Sequence, residues 1–183
     1  MNRPLIDKLL TAAGVVVLFV LLAAGGLSQW GERFASSQIQ SQLTQEKIYF
    51  PPAGSPALDP QEFPGLQQYA GQPVDNGDKA KAYADQFIWH HMMKASGGKT
   101  YAEISTLAQA NPTDTKLAAL KSTLFQGDML RSSLLTAYAF SRFGLIAHWA
   151  ALACYAAAGV MTVLVLLGLL HVVRPDRGSR RSR

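Results

Sequence analysis

Two long stretches without a charged side chain constrain this chain more than any other feature. The first runs from Leu9 to Leu27, LLTAAGVVVLFVLLAAGGL, nineteen residues. The second runs from Phe143 to Val173 and contains no Asp, Glu, Lys or Arg. A helix crossing the hydrocarbon core of a bilayer needs about 20 apolar residues. Both blocks meet that length, so transmembrane helices are expected over 9–28 and 143–173. A signal-peptide core is shorter, about 7–15 residues, and ends in a small-residue cleavage site. LAAGGLSQW offers small residues, but the helical pattern continues through WGERFASSQIQSQLTQEK, so an uncleaved anchor is expected. The single cysteine, Cys154, falls inside the second block. No cysteine follows the first block to carry a lipid, and no intrachain disulfide can form.

Charge supplies an orientation. Residues 1–8 carry Arg3 and Lys8 against Asp7, and residues 174–183 carry Arg174, Arg177, Arg180, Arg181 and Arg183 against Asp176. Between the blocks, residues 28–142 hold ten basic and ten acidic side chains and are neutral. Short Lys/Arg-rich flanks stay in the cytoplasm, whereas long loops cross largely regardless of charge. Both termini are therefore expected in the cytoplasm (1–8 and 174–183), with residues 29–142 outside the cytoplasmic membrane. The basic tail suits anionic lipid and is too short to read as a nucleic-acid binder.

The intervening segment reads as helical throughout. Residues 30–47 carry Trp30, Phe34, Ile39 and Leu43 at helical intervals and prolong the first span. YFPPAGSPALDPQEFPG, residues 49–65, has five prolines in seventeen residues. Proline removes a donor and fixes φ, so this stretch must be extended or turning. Tyr49, Phe50 and Phe63 would anchor it as an ordered strap, with a loose linker as the alternative. In 78–94, DKAKAYADQFIWHHMMK, the residues Ala80, Tyr83, Ala84, Phe87, Ile88, His91 and Met92 recur at three- and four-residue steps and predict a helix, with Asp78 as its cap. Thr100 and Glu103 have the spacing of a capping box for a helix bearing Tyr101, Ile104 and Leu107. NPTD closes it and opens a last helix through Leu117, Leu120 and Leu124 toward the second block, with Gly127 and Gly144 as places to bend. No period-two alternation occurs. The expected fold is all-α, a helical bundle inserted between two transmembrane helices.

KASGGKT, residues 94–100, resembles the end of a phosphate-binding loop. That motif needs a glycine five residues before Gly98, and Met93 stands there. Gly97 and Gly98 are better read as a helix stop. Adjacent His90 and His91 point about 100° apart on a helix, and neither has a histidine or carboxylate at the i, i+4 spacing of metal-binding helices. They are weak metal candidates, with His91 packed or hydrogen-bonded and His90 partly exposed. His148 and His171 are about 35 Å apart along a helix and mark the two edges of the second span. Arg131, Tyr138 and Arg142 share roughly one face just outside that span, where they can meet lipid phosphate or an acidic partner. The plainer reading is an Asp128–Arg131 surface pair. Ala150, Cys154, Ala158 and Thr162 form a row of small residues that permits close helix packing, against the first span or against another membrane protein. No catalytic set is legible, and no cofactor is expected.

Taken together, NRPLIDKLLTAAGVVV, EKIYFPPAGSPA, KAYADQFI, GGKTYAEIS and LFQGDMLRSSLLTAYAF resemble a group of uncharacterised actinobacterial two-span membrane proteins, over nearly the whole chain. The resemblance implies the same two-span layout and no particular activity. The leading expectation is a non-catalytic accessory or assembly subunit that binds another membrane or envelope protein. Alternatives are an extracytoplasmic small-ligand sensor acting through a partner, and a metal-dependent enzyme using His90 or His91.

Overall fold

The computed structural model describes residues 3–173; the arginine-rich tail, and with it the expected lipid contact, lies outside the described residues. Five α-helices account for most of them: α1 (Arg3–Gln45), α2 (Gly77–Ala82), α3 (Trp89–Ser96), α4 (Tyr101–Ala110) and α5 (Thr115–Val173). Among the described residues there is no strand, only an isolated bridge between Tyr49 and Pro73. The chain divides into two compact units, one from the described parts of Met1–Arg33 and Leu145–Arg183, the other Phe34–Gly144.

The first unit is an antiparallel helix pair. Gly14 lies opposite Val165 and Met161, Gly25 opposite Tyr155, and Gly168 opposite Thr11. A Cβ on Gly25 would stand 2.9 Å from the Tyr155 ring, and one on Gly168 2.8 Å from Thr11 Oγ1. Glycine is needed there because the facing side chain fills the space. The positions turned inward on α5 are Ala151, Cys154, Ala158, Met161, Val165 and Gly168, alternating steps of three and four. This is the geometry of helices crossing at a shallow angle. An i, i+4 row drifts about 40° per step around an α-helix. The row read from the sequence therefore winds off the seam: Ala158 is buried and Cys154 half-buried, whereas Ala150 and Thr162 are exposed.

The rest of the pair's surface is apolar and open. In the most apolar stretches of α1 and α5 only 6% and 17% of residues are buried. The core helix of a soluble protein is mostly buried, so these two helices, long and apolar enough to cross a membrane, do not fit that description.

The second unit has a conventional core of Ile39, Leu43, Phe50, Leu58, Phe63, Leu66, Val74, Ala84, Ile88, Met92, Ile104, Leu124 and Leu134, among others. Its middle helix is not uniform. Residues Tyr83–Ile88 form a π-helical turn between α2 and α3, and Trp89 N–H reaches back to the Ala84 carbonyl. The wider turn offsets the drift of the i, i+4 row, so Ala80, Ala84, Ile88, Met92 and Ser96 are all buried. Beside that row, Tyr83, Phe87 and His91 form a ladder of rings with centroids 4.8 and 4.5 Å apart.

The proline-rich segment is an ordered strap clipped onto this ladder. Phe50 packs on Tyr83 and Tyr69, and Phe63 on Phe87. Short 3-10 turns at Pro56–Leu58 and Pro64–Tyr69 bury Leu58 and Leu66. Tyr49, expected as an anchor, is 58% exposed; its backbone bridge to Pro73 holds that end instead.

Local signals account for the helix ends, with two corrections. Thr100 and Glu103 form the expected capping box, and Gly97 closes α3 in the left-handed region at φ 62°. Asn76, not Asp78, caps α2, its side chain accepting from Lys79 N–H. α5 is unbroken through Gly127 and Gly144. Gly127 instead makes room for Met92, whose sulfur would lie 2.7 Å from an added Cβ.

Candidate functional site

The second unit gathers its buried-edge charges where the middle helix meets α5. Lys81 and Asp85, one turn apart, pair at 2.5 Å. Arg131 of α5 donates from Nη2 to the other Asp85 oxygen at 2.9 Å. The hydrogen bond from Lys81, and then that from Arg131, hold the Asp85 carboxyl below the usual carboxylate range. Asp85 in turn raises the Lys81 ammonium. The guanidinium of Arg131 also lies over the Trp89 ring, 4.8 Å from its centroid. Arg131 thus pairs across to the middle helix; the expected Asp128–Arg131 pair does not form. A carboxylate presented by another helix fixes the guanidinium, and the indole face supplies a further attraction.

One turn before Arg142, Tyr138 collects a further cation and meets Lys81 as well. Arg142 stacks 4.7 Å from the Tyr138 centroid and Lys81 5.1 Å from it, while Arg142 also pairs with Asp78. The sequence-derived set Arg131, Tyr138 and Arg142 is therefore brought together, through Lys81, Asp85 and Trp89, which the sequence reading did not assign, and Asp78, which it assigned as a helix cap. The i, i+4 spacing of Lys81 and Asp85 was the available signal. Both Arg131 Nε and Arg142 Nε are buried without a hydrogen-bond partner.

On the far side of the middle helix, His90 and His91 grip the strap. His90 packs edge-on to Phe63 at 4.7 Å and His91 stacks nearly parallel to it at 5.4 Å. His91 Nδ1 is 2.8 Å from the Phe87 carbonyl, the N–H tautomer donating. Glu62, beside Phe63, accepts from Lys94 at 2.6 Å and has His90 Nε2 3.4 Å away, an ion-pair distance without hydrogen-bond alignment. Lys94 above all, and His90 in addition, keep the Glu62 carboxyl below its ordinary range. Among the described residues no group of three or more His, Cys, Asp and Glu is placed to hold a metal ion. The two histidines are committed to an aromatic clasp.

The third feature is a groove of about 610 Å³ along α5, lined by Tyr101, Phe125, Met129, Leu135 and Ala139, with Asp128, Arg131, Ser132 and Thr136 as its polar members. Phe125 and Met129 are about half exposed. The groove is shallow and open to solvent along its length. The first unit carries a smaller apolar groove lined by Gly14, Met161, Val165 and Gly168 among others. No family, characterised protein or solved structure matches the chain.

Proposed function

We propose that the chain is a two-span protein of the cytoplasmic membrane, both ends in the cytoplasm and residues 29–142 outside, acting without catalysis as an accessory or assembly subunit for another membrane or envelope protein. It would belong with the uncharacterised actinobacterial two-span proteins it resembles. The observation that carries the membrane part is the dimension of the first unit. Trp30 to Asp7 on α1 and Trp149 to His171 on α5 each span about 33–35 Å of helix axis. A hydrocarbon core is about 30 Å thick, and indole rings collect at its edges. His171 Nε2 stands 3.8 Å from Asp7 at one end, and Tyr155 donates to Gln29 toward the other. Between these levels the outward surface carries no charged side chain except Lys8, next to Asp7.

The accessory role rests on the second unit. Asp85–Arg131 and Asp78–Arg142 tie the middle helix to α5, and the two histidines hold the strap. This leaves a scaffold with an open groove and exposed apolar side chains on α5.

Two experiments test the two parts. In a Cys154→Ser background, Gly97→Cys should react with a membrane-impermeant maleimide on intact cells. Reaction only after lysis would overturn the orientation. Affinity purification from native membranes in mild detergent should retain a stoichiometric second membrane or envelope protein; repeated recovery of the chain alone counts against an accessory role.

A further inference from the structure

We infer that residues 51–71 of the strap are a hinged lid over Phe87, His90 and His91, which lifts at its Phe63 edge while the neck at its other end stays closed. The hydrogen bonds set this segment apart from the helices. Among the described residues, every backbone–backbone bond made by residues 48–74 runs to another member of the same segment. Phe50 N–H donates to the Gln72 carbonyl and Val74 N–H to that of Ile48, at 2.9 Å each, and Gly71 N–H donates to Pro51 at 3.1 Å. These three bonds close the neck. Inside the lid, Gln67 Nε2 donates to the Leu58 and Phe63 carbonyls. The lid can therefore leave the middle helix without giving up a backbone hydrogen bond. A loop whose ends lie close together and which packs on its own side chains is the kind of contiguous segment that opens as a unit.

The contacts that hold the lid down differ between its two ends. At the neck, Phe50 packs on Tyr83 at 5.1 Å and on Tyr69 at 5.2 Å, so this end is tied to the helix as well as closed on itself. At the far edge the contacts are the Phe63 ring on Phe87, His90 and His91 and the Glu62–Lys94 pair. Both members of that pair are well exposed, and exposed pairs contribute little. A cavity of about 390 Å³ already runs along this edge, between Glu62, Phe63 and Gly65 on the lid and Gln86, Trp89 and Met93 on the helix. A joint lies where the neck meets the lid. Gly71 has φ 70°, in the left-handed region, and an added Cβ there would meet nothing within 4 Å. Glycine takes up other backbone angles at little steric cost, and hinges are a few loop positions that absorb such changes. Leu58 and Leu66, both at 0% exposure, sit on the moving part. Lifting the edge uncovers them and takes the Phe63 ring off the two histidines.

The test uses the full chain in detergent micelles, in a Cys154→Ser background carrying Leu66→Cys or Leu58→Cys, either of which serves alone. The rate of thiol labelling by a maleimide gives the opening constant at the buried side of the lid. Amide hydrogen exchange at Phe50 and Val74, followed by NMR, gives the opening constant of the neck. The thiol constant should exceed the neck constant by roughly tenfold or more. Adding Phe63→Ala should raise the thiol constant by a further factor of roughly ten or more and change neck exchange less than threefold. A thiol constant within tenfold of the neck constant overturns the hinge, because the segment then comes apart as a whole. A smaller response to Phe63→Ala, or a neck that opens in step with the thiol, overturns the assignment of Phe63 as the moving edge.

Discussion

Replacing Phe63 by alanine tests whether the proline-rich strap is clasped or merely tethered. Phe63 is 3% exposed and its ring touches Phe87, His90 and His91. A buried aromatic side chain covers roughly 150–250 Å², worth about 4–6 kcal/mol at 25 cal/mol per Å². That figure is an upper bound, because unfolded chains already hide part of their surface. Core Phe→Ala substitutions cost about 3–5 kcal/mol, so about 3 kcal/mol is the expected loss. If the strap opens on its own, this raises its open fraction by roughly two orders of magnitude, at 1.4 kcal/mol per factor of ten. Limited proteolysis of the full chain in detergent, followed at Pro51–Glu62, reads that fraction directly when cleavage is slow relative to closing. Tyr49→Ala is the control: an exposed ring at the other end of the same strap should change the rate less than threefold. Equal cleavage of the Phe63→Ala and wild-type proteins would refute the clasp, as would equal acceleration by both substitutions.

Three further outcomes follow from the same structure. Gly25→Leu drives a side chain into Tyr155 and should cost the helix pair about 1–3 kcal/mol by overpacking, seen as a lower thermal midpoint in detergent; Gly26→Leu, whose Cβ meets nothing within 4 Å, should be nearly neutral. Thr100→Ala removes one half of the capping box and should lower unfolding stability by about 1 kcal/mol in urea titration monitored by circular dichroism. The Lys81–Asp85–Arg131 network predicts a pH window. Asp85 has a lowered folded value, so its contribution is full above the ordinary Asp value of about 3.9 and lost as pH falls through the lower folded one. Lys81 has a raised value, so its contribution is full below about 10.4 and lost as pH rises beyond it. Asp85→Asn should flatten both limbs of the midpoint-versus-pH curve.

The parts of this fold that could be read from the sequence are those set by neighbouring residues. Two uncharged blocks declare long apolar helices because an unbroken apolar run of that length is too long for a strand. Thr100 with Glu103, and Gly97 after a helix, act through hydrogen bonds and φ angles spanning three or four residues, so spacing alone reveals them. Asp78 misled because Asn76 sits two residues further back in the same polar turn and either side chain could cap. What escaped the sequence depends on helix phase. The row Ala150, Cys154, Ala158, Thr162 looks like a stripe on paper and spirals on a real helix, and only the partner's glycines decide that Ala151, Ala158 and Val165 face inward. The π turn at 83–88 has no local signature, yet it sets which side of the middle helix turns Met92 toward Gly127 of α5 and which receives Phe63. The charged cluster depends on that phase in turn. Asp85 meets Arg131, forty-six residues away, with the row Ala80, Ala84, Ile88 buried in the same core as Leu124 and Leu134 of α5. Without the wider turn the row would continue to drift, and Asp85 and Trp89 would rotate away from the guanidinium they hold. The groove inherits one wall from that arrangement, since Arg131 is fixed by the middle helix and lines a surface of α5.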